Sequence, residues 1–357
     1  MAVKIENVNQ SKLEELQGKV IGDVAGSMGL LLAYVGDKLD LYSALAEISP
    51  ATSQELADST GVNERYVREW LSANAAGGYV NYDPVSSQFS MTPEQAIIFA
   101  AEGNPACMQG FFQAVVSSYT DEPKITEAFR QNKGVPWGDH SECLFCGTER
   151  FFRPMYAENL IGSWLPALDG VREKLESGAK VADIGCGHGS STIIMAQAYP
   201  NSTFYGFDFH EPSIEHAQER ARAAGVARNT IFEVVTAKEY PGKNYDLVTI
   251  FDALHDMGDP VGACDHIAKS MSDGGTFMLV EPFAGDSLEE NSHPLGQIYY
   301  SFSTLICLPA SRSQEVGLGL GAQAGQKRLT EVLNEGGFGQ VRRAAETPTN
   351  IVLEARV

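Results

Sequence analysis

The stretch 180–192, KVADIGCGHGSST, decides the fold of this chain. It begins with a short apolar run, continues with Gly185, Gly187 and Gly189 at alternate positions, and ends in hydroxyl residues. A buried strand that runs into a glycine-rich turn and then a helix lets a ligand approach the backbone closely. The stretch therefore predicts a strand, a nucleotide-type loop and a helix, which form the first unit of an α/β domain.

The chain downstream of this loop repeats the alternation of apolar strands and helices. The runs are STFYGFD, SIEHAQERARAAG, TIFEVV, YDLVTIFDAL, PVGACDHIAKSM and TFMLVEP, and two closing strands follow, QVRRAA and NIVLEAR. Buried β-type runs separated by helices indicate a doubly wound sheet. We expect an insertion at 284–325 to cover a substrate, with the glycine-rich stretch 317–325 as a hinge.

The part upstream of the loop follows another pattern. Residues 19–48 carry apolar side chains at helical spacing, which predicts two helices. Thr52 and Glu55 form a capping box before a third helix, and Asn63 caps a fourth. The runs YVNYD and FSMT then indicate two short strands around a polar turn, and Thr92 caps another helix. Helices followed by a hairpin are typical of a winged helix.

The composition bounds the partners of the chain. Its 357 residues exceed the usual size of a single core, about 250 residues, and therefore favour two lobes. The 46 acidic and 26 basic residues give a formal charge of -20, which repels nucleic-acid phosphates and anionic membranes. In the second helix of the winged helix, Arg65 and Arg68 are offset by Glu64 and Glu69. We therefore expect a dimerisation and lid domain that does not bind nucleic acid.

The N-terminal segment and the cysteines indicate a compartment. MAVKIENVNQSKLEELQ lacks the apolar core of a signal peptide, and no uninterrupted apolar run reaches the roughly 18 residues of a membrane span. The six cysteines are scattered and do not form the framework of a small disulfide-bonded protein. We expect a cytoplasmic protein with reduced thiols and no membrane contact.

Three residues around the glycine loop separate two classes of ligand. Asp183 at the strand end would repel a pyrophosphate but suits the ammonium group of a methionine-like ligand. A dinucleotide loop needs a further glycine at position 190, where this chain has Ser190. Asp208 ends the next strand about 20 residues later, where a carboxylate accepts hydrogen bonds from both ribose hydroxyls. The pattern disfavours NAD and favours an adenosine without a 2′-phosphate.

With these features the chain resembles the class I S-adenosylmethionine-dependent methyltransferases. The motifs DIGCGHG, GFD, NYDLVTIFDALHD and DGGTFMLVEP stand in the order and spacing of that class. With the winged helix and the stretches VREWL and LFCGTERFFRP, the whole chain resembles a bacterial group of two-lobed methyltransferases and is similar in plan to small-molecule O-methyltransferases. The resemblance implies a Rossmann-like, seven-stranded sheet with its last strand antiparallel. It also implies S-adenosylmethionine as cofactor and S-adenosylhomocysteine as product.

The resemblance assigns residues to the two ends of the cofactor. It implies that Gly185 and Gly187 approach the methionyl part, with Asp183 nearby, and that Asp208 holds the ribose. Phe209 would lie against the adenine. The complete set implied for the cofactor is Asp183, Gly185, Cys186, Gly187, Asp208, Phe209, Ala237, Lys238, Phe251 and Asp252.

Two further pairs in that set differ in how well they match the class. Phe251 and Asp252, at the end of the fourth strand, would face the donor and the reacting centre. Ala237 and Lys238 stand where this class usually lines the adenine edge. The acidic residue often found there is missing from this chain, which weakens the assignment.

His255 is the candidate proton acceptor. Methyl transfer from a sulfonium is an in-line displacement whose charge disperses, so the enzyme mainly aligns and desolvates the acceptor. A hydroxyl acceptor also needs a base, for which a histidine is the usual choice. Plant-type O-methyltransferases carry a similar LHD sequence whose histidine is the base, and Asp256 would orient it. The alternative is that His255 only packs or lines the pocket.

The acceptor side is less specific. The segment WGDHSECLFC brings His140, Cys143 and Cys146 together at metal-like spacing, but a fourth ligand is not evident, and we expect no bound metal. The aromatic residues that follow suit an apolar lid. The residues predicted to contact the acceptor are Trp137, His140, Cys143, Phe152, Tyr156, His293 and Tyr299.

These features predict a two-lobed, homodimeric methyltransferase that acts on a small-molecule acceptor. We expect a helical domain at 1–100, a connector at 101–165 that contributes to the acceptor pocket, and the cofactor domain at 166–357. Two other hypotheses remain open. One is a non-methylating enzyme on the same fold, such as a decarboxylase or hydratase, and the other is a winged-helix regulator that senses S-adenosylmethionine.

Overall fold

The computed structural model describes residues 7–357, so the first six residues of the expected N-terminal domain lie outside the described part. The first six residues of the N-terminal segment MAVKIENVNQSKLEELQ, which we expect not to be a signal peptide, also lie outside it. The chain divides into two compact units. The first comprises the chain up to Ser117 together with Glu142–Phe151, and the second comprises Ser118–Ser141 and Phe152–Val357.

The first unit has the predicted helices and hairpin. The Thr52 hydroxyl accepts a hydrogen bond from the Glu55 amide, the Glu55 carboxylate accepts one from the Thr52 amide, and Asn63 caps the next helix. These helix starts were predicted, and each is confirmed. The elements are α1 Gln10–Lys38, α2 Leu41–Ile48, α3 Ser53–Thr60, α4 Glu64–Ala76, β1 Asn81–Asp83, β2 Gln88–Ser90 and α5 Pro93–Phe99. Two longer helices, α6 Gln109–Gln131 and α7 Glu142–Asn159, contain the unit boundaries.

Helix α1 differs from the expectation in its length and surface. It begins at Gln10 rather than near Lys19, and it has 29 residues. By length and composition alone, α1 is long and apolar enough to cross a membrane. A single helix of this kind near the N-terminus is only weak evidence for a membrane span. Glycines and an aspartate stand among its apolar residues, so the sequence shows no continuous apolar run of that length. Only 11% of its most apolar window is buried.

The second unit is an α/β domain. Its helices are α8 Val171–Ser177, α9 Ser190–Ala198, α10 Glu211–Ala223, α11 Pro260–Ser270, α12 Pro294–Phe302, α13 Leu308–Arg312 and α14 Gly325–Glu335. Its strands are β3 Lys180–Ile184, β4 Thr203–Asp208, β5 Thr230–Val234, β6 Tyr245–Phe251, β7 Met271–Pro282, β8 Gln340–Glu346 and β9 Asn350–Arg356. Short 3₁₀ turns at Trp137–Asp139, Leu165–Ala167 and Leu254–Asp256, and π turns at Leu160–Trp164 and Ser303–Cys307, connect them.

The seven strands lie in the order β5-β4-β3-β6-β7-β9-β8. Strands β3 to β7 pair in parallel, and β9 pairs antiparallel with both β7 and β8. The predicted fold class, a doubly wound sheet with its last strand antiparallel, is confirmed. The strand order reverses between β3 and β6, and in open α/β sheets ligands bind outside the carboxyl ends of the strands at such a point.

Alternate residues of the strands fill two cores, one on each face of the sheet. Val181 packs in one core with Leu175 of α8 and Met195 of α9. Its neighbour Ala182 packs in the other core with Ile267 of α11 and Leu329 of α14. Because both faces are covered, the strands are nearly continuous apolar runs, which is how the sequence identified them.

The insertion predicted at 284–325 contains α12 and α13. Its glycine-rich stretch is attached to the loop after β6, where the Gly321 amide donates to the carbonyl of His255 at 3.3 Å and the Leu318 amide donates to Gly258 at 2.9 Å. The insertion therefore lies beside the turn that carries the candidate base.

Candidate active site

Four strands of the second unit end beside one another. The glycine loop follows β3, Phe209 follows β4, Asp252 follows β6 and Phe283 follows β7. Most of the predicted cofactor residues stand at these strand ends. The parallel pairing brings the carboxyl ends of β3, β4 and β6 to one edge of the sheet. This edge is therefore the place where the predicted residues can act together.

The glycine loop offers exposed backbone to a ligand. Gly185 and Gly187 have φ of 70° and 51°, a conformation that favours glycine. A Cβ on Gly185 would come within 2.9 Å of the Ala253 side chain, whereas a Cβ on Gly187 would enter open space. Gly185 is thus required by packing, and Gly187 keeps a surface open.

Asp183 is engaged by hydroxyl groups of its own domain. One carboxylate oxygen accepts hydrogen bonds from Ser191 and Thr192, and the other accepts one from Thr249 at 3.0 Å. The residue is only 1% exposed, and burial raises the pKa of its carboxyl to about 6 against the lowering effect of these hydrogen bonds. Asp183 therefore ties the end of β3 to the start of α9.

Asp208 joins the loop to the end of β4. Its two oxygens accept the amide hydrogens of Gly187 and His210, each at 2.9 Å, and burial raises the pKa of its carboxyl. A carboxylate has about four lone pairs, so it can accept further hydrogen bonds from a ligand. The next residue, Phe209, leaves half of its surface exposed, as a ring that stacks on a ligand must.

Three further cofactor candidates follow the ends of strands: Cys186 follows β3, and Ala237 and Lys238 follow β5. Cys186 is buried, and burial raises the pKa of its thiol well above the ordinary value. Ala237 packs at the edge of one core. Lys238 forms ion pairs with Asp259 at 3.0 Å and with Glu315 of the insertion at 2.8 Å, so its ammonium group already has two carboxylate partners.

Asp252 stands at the centre of a buried polar group. Its oxygens accept hydrogen bonds from the Tyr156 hydroxyl and the Asn350 amide, both at 2.7 Å. Burial raises the pKa of its carboxyl to about 7, although the Tyr156 hydrogen bond opposes this shift. The ring of Tyr156 also lies 5.3 Å from that of Phe251. Asp252, Phe251 and Tyr156, predicted from separate parts of the chain, are therefore in contact.

His255 is held by a carboxylate that the sequence analysis missed. Its Nδ1 lies 2.6 Å from Glu281 Oε2, while Oε1 of the same carboxylate accepts the amide hydrogen of Leu254. His255 and Glu281 are 4% and 2% exposed. Burial alone would lower the pKa of His255, but the carboxylates of Glu281 and Asp256 raise it well above its usual value.

Asp256 faces the other nitrogen of the ring. Its Oδ1 is 3.3 Å from His255 Nε2. This oxygen accepts no hydrogen bond from any of the residues 7–357. Both carboxylates therefore contact the imidazole, Glu281 at Nδ1 and Asp256 at Nε2, and the orienting role predicted for Asp256 stays a prediction. Since Glu281 binds Nδ1, the nitrogen that faces outward from the pair is Nε2.

His140 forms a second histidine–carboxylate pair. Its Nδ1 lies 3.1 Å from Asp121 Oδ2, and its side chain is 1% exposed. Burial lowers the pKa of His140, although Asp121 raises it. Trp137 contacts the same imidazole with its ring, at a centroid distance of 6.2 Å.

The other acceptor candidates have separate surroundings. The Phe152 ring stacks on Tyr156, and the Tyr299 hydroxyl donates to the carbonyl of Thr349 at 2.9 Å. His293 is exposed and caps α12 through its Nδ1. Cys143 belongs to the first unit, where its Sγ is 3.3 Å from the Tyr34 hydroxyl.

Sequence reasoning missed residues whose partners are distant in the chain. Glu281 is the acidic residue that ends the apolar run TFMLVEP, and that break in the run was the available signal. Asn350 begins a predicted strand, and Asp121 lies within α6 without a motif around it. Cys307 lies in the insertion without a motif around it, so the sequence indicated no role for its thiol.

The ends of the strands carry negative charge. Asp208 ends β4, Asp252 follows β6 and Glu281 lies at the end of β7, and each is at least partly buried. Like charges repel, so carboxylates that are buried close to one another favour a cation between them. The site suits a ligand with a positive charge near β6 and an adenosine-like part near Phe209.

Two families match this chain in sequence. Residues 175–337 match a family described as a methyltransferase domain, and residues 26–100 match one described as an Rv2258c-like winged helix-turn-helix domain. The predicted methyltransferase resemblance and the predicted winged helix are both confirmed. The two matches fall in the two compact units described above.

Relatives and solved structures agree with this assignment. The chain is 34% identical over 118 residues to 27-O-demethylrifamycin SV methyltransferase of Amycolatopsis mediterranei, a match that covers 31% of this chain and 43% of that protein. It spans less than two thirds of the length of the first curated relatives that it matches.

The fold is that of known methyltransferases over nearly the whole chain. The structure of mitomycin 7-O-methyltransferase has a TM-score of 0.73 at 17% identity, with 98% of this chain and 100% of that chain covered. Human N-acetylserotonin methyltransferase, solved in complex with S-adenosylmethionine, has a TM-score of 0.71 at 16% identity and covers 99% of each chain. At these identities the likeness is one of fold.

Proposed function

We propose that this chain, which joins a methyltransferase domain to a winged helix-turn-helix domain, transfers a methyl group from S-adenosylmethionine to a hydroxyl group of a small molecule. The observation that carries the proposal is the pair of sites at one sheet edge. A loop and carboxylates that suit the donor lie beside a histidine held by a carboxylate.

The donor side fits the shape and charge of S-adenosylmethionine. When bound, this cofactor supplies a methyl group on a positively charged sulfonium. In our proposal Asp208 accepts hydrogen bonds from the ribose, Phe209 covers the adenine, and the open backbone at Gly187 admits the methionyl part. Asp183 acts indirectly, because its hydrogen bonds fix the loop at the start of α9.

Cys186, Ala237 and Lys238 complete the donor side as lining residues. Phe251 and Asp252 stand closest to the reacting centre in this proposal. Asp252 contributes negative charge, and the Tyr156 hydroxyl holds its carboxylate in place. A desolvated carboxylate near the sulfonium stabilises the donor but must not react with it, and two hydrogen bonds from Tyr156 and Asn350 reduce its nucleophilicity.

On the acceptor side, His255 removes the proton of the acceptor hydroxyl. Glu281 fixes Nδ1, so that Nε2 in the neutral ring is the basic nitrogen, and it stabilises the imidazolium that forms. General-base catalysis of this kind contributes about 100-fold to 10,000-fold to the rate. His140, Trp137, Phe152 and Tyr299 are proposed as contacts of the acceptor.

A labelled-donor assay tests the function. The purified chain, mixed with methyl-labelled S-adenosylmethionine and a panel of phenols, hydroxyquinones and amines, should label hydroxyl acceptors and release S-adenosylhomocysteine. His255→Gln should lower kcat at least about 100-fold while leaving donor affinity within twofold. Donor binding without label transfer to any acceptor would contradict methyl transfer and favour the non-methylating alternative.

We further propose that the protein works as a cytoplasmic homodimer. All six cysteines are free, which suits a reducing compartment. Helix α1 exposes apolar residues at spacings of three and four along one side, and such a stripe is typical of helices that pair. The stripe consists of Leu13, Leu16, Val20, Val24, Met28, Leu31 and Val35.

A further inference from the structure

A cluster beside the candidate base contains three different metal-ligating groups. The ligand atoms of His255, Asp256 and Cys307 all lie within 4.8 Å of one another. Among residues 7–357, this is the group of histidine, cysteine and carboxylate side chains that converges in this way. His255 and Cys307 are buried, and the Asp256 side chain is 21% exposed.

The surroundings hold these groups before any ion arrives. Glu281 accepts the hydrogen bond of His255 Nδ1, so that Nε2 points to Asp256. A carboxylate on the outer nitrogen of a ligating histidine is the usual second layer of a protein metal site. Metal affinity commonly falls 10-fold to 100-fold when such a partner is lost, at order-of-magnitude precision.

The insertion positions the third ligand. Cys307 ends the turn Ser303–Cys307 and precedes α13. The hydroxyl of Ser311, in α13, donates a hydrogen bond to the carbonyl of Met257. The side chain of Gln314, two residues after α13, donates one to the carbonyl of Asp256 at 3.0 Å. These bonds tie the helix after Cys307 to the turn that carries the other two ligands.

One atom of the cluster is buried without a hydrogen bond, although it faces His255 Nε2 at 3.3 Å. Asp256 Oδ1 is inaccessible to solvent and forms no hydrogen bond with any residue that the structure describes. A buried carboxylate oxygen that accepts no hydrogen bond is energetically unfavourable. A cation bound between this oxygen, the imidazole and the thiol would remove that cost.

We propose that His255 Nε2, Asp256 Oδ1 and Cys307 Sγ bind one Zn²⁺ ion. A set of nitrogen, oxygen and sulfur ligands is typical of zinc, whereas magnesium and calcium prefer oxygen ligands alone. Three protein ligands leave a fourth tetrahedral position open to water or another small ligand. Zinc binds the thiolate and the unprotonated Nε2, so binding releases to solvent the Cys307 proton and any proton that Nε2 holds.

Zinc binding also has a consequence that rests on the proposed function. Nε2 of His255 can hold either a proton or the metal, but not both. A bound zinc ion therefore prevents His255 from accepting the proton of the acceptor. The site makes methyl transfer to a hydroxyl sensitive to free zinc, while the donor residues around Asp208 are unaffected.

The binding test uses the full-length, tag-free chain and zinc alone. Competition against a chromogenic zinc chelator should give one ion per chain, and Cys307→Ser and Asp256→Asn should each weaken binding at least about tenfold. Cys264→Ser is the matched control, because Cys264 is also a buried thiol but packs in the core on α11. Cys146→Ser controls for zinc on an exposed thiol.

Cobalt gives a readout that an unfolded variant cannot imitate. Co²⁺ added to the wild type should produce a thiolate-to-cobalt charge-transfer band, which Cys307→Ser loses and Cys264→Ser retains. No zinc binding by the wild type, or equal binding by Cys307→Ser, would overturn the proposal. Thermal unfolding of each variant identifies any loss of binding that comes from loss of the fold.

The activity arm separates this proposal from the proposed function. Zinc should inhibit wild-type methyl transfer reversibly, with recovery on addition of a chelator, and Cys307→Ser should lose this sensitivity relative to its own zinc-free rate. If no acceptor is methylated, the stoichiometry and the cobalt band still decide the metal site. Bound zinc without inhibition would refute its contact with the proposed base.

Discussion

Single carboxylates set the chemistry at the residue scale. Asp183, Asp208, Asp252 and Glu281 are all acidic residues at strand ends, yet each has a different set of partners. Asp183 is bound by three hydroxyls and holds the loop. Asp252 keeps one hydroxyl and one amide partner, and Glu281 holds the imidazole. Partners rather than residue type therefore distinguish the supporting carboxylate from those that face the ligand or the base.

Asp252 predicts a pH dependence of donor binding. Burial raises the pKa of its carboxyl to about 7, so the group is neutral below that pH. A cationic donor favours the ionised form, so affinity should rise with pH by up to about tenfold per unit below 7 and then level off. Calorimetric titration with S-adenosylmethionine at several pH values measures this. Asp252→Asn should flatten the curve, and a flat wild-type curve would contradict the prediction.

Glu281→Gln tests how the base is held. Glutamine keeps an acceptor for the Leu254 amide but removes the charge beside His255. We expect kcat to fall about 100-fold or more with little change in donor KM. Glu354→Gln is the control, since Glu354 is also a 3% exposed carboxylate but pairs with Arg342 and Arg356. It should lower stability and leave kcat unchanged; equal losses of kcat in both variants would argue against a specific role for Glu281.

The sequence predicted the residue positions along the chain better than their partners. Asp208 and Asp252 follow strands whose apolar runs are unmistakable, so their location at the sheet edge follows from the pattern. Glu281 lies 26 residues from His255, and the hydrogen bond between them depends on the pairing of β6 with β7. Local spacing carries no information on such a contact. It indicates only Asp256, the acid next to His255 in the chain, as a partner of the imidazole.

At the scale of elements, the glycine loop joins strand β3 to helix α9. Local rules explain why the sequence predicted it well: an apolar run, glycines with positive φ, and hydroxyl residues at the helix start are all adjacent in the chain. The same holds for the caps at Thr52, Asn63 and Thr92. The start of α1 was placed too late because residues 10–18 carry only two large apolar side chains, Leu13 and Leu16, which is too few to show helical periodicity.

Gly187→Ala separates strain in the loop from its contact with the donor. Gly61 is a matched control, because both glycines have positive φ, of 51° and 68°, and open space where a Cβ would stand. Each alanine should destabilise the protein by about 1–2 kcal/mol through the left-handed backbone. Only Gly187→Ala should also weaken S-adenosylmethionine binding, by at least about tenfold. Denaturant unfolding and calorimetry measure the two effects, and equal donor affinity in both variants would remove Gly187 from the site.

At the scale of the whole molecule, charge and the surface of α1 act against each other. The formal charge of -20 makes copies of the chain repel one another at low salt. The 29-residue helix is roughly 43 Å long, and its apolar stripe is a surface that water solvates poorly. Residues Lys12, Glu15, Lys19 and Asp23 recur at the same spacing one position before the stripe. The helix is thus amphipathic rather than apolar all round, which favours pairing with a second helix over a membrane span.

If the protein is the dimer that we propose, glutamates within the stripe should convert it to a monomer. Val20 and Val24 are 50% and 58% exposed, so Val20→Glu with Val24→Glu removes apolar surface without disturbing the core. Lys12→Glu with Lys19→Glu adds at least as much negative charge on the neighbouring face and should leave the dimer intact. Light scattering coupled to gel filtration measures the mass, and flotation with neutral liposomes tests the membrane alternative. A wild-type monomer that floats with liposomes would assign the stripe to lipid, because a helix that pairs with its copy hides the same residues that a bilayer would bind.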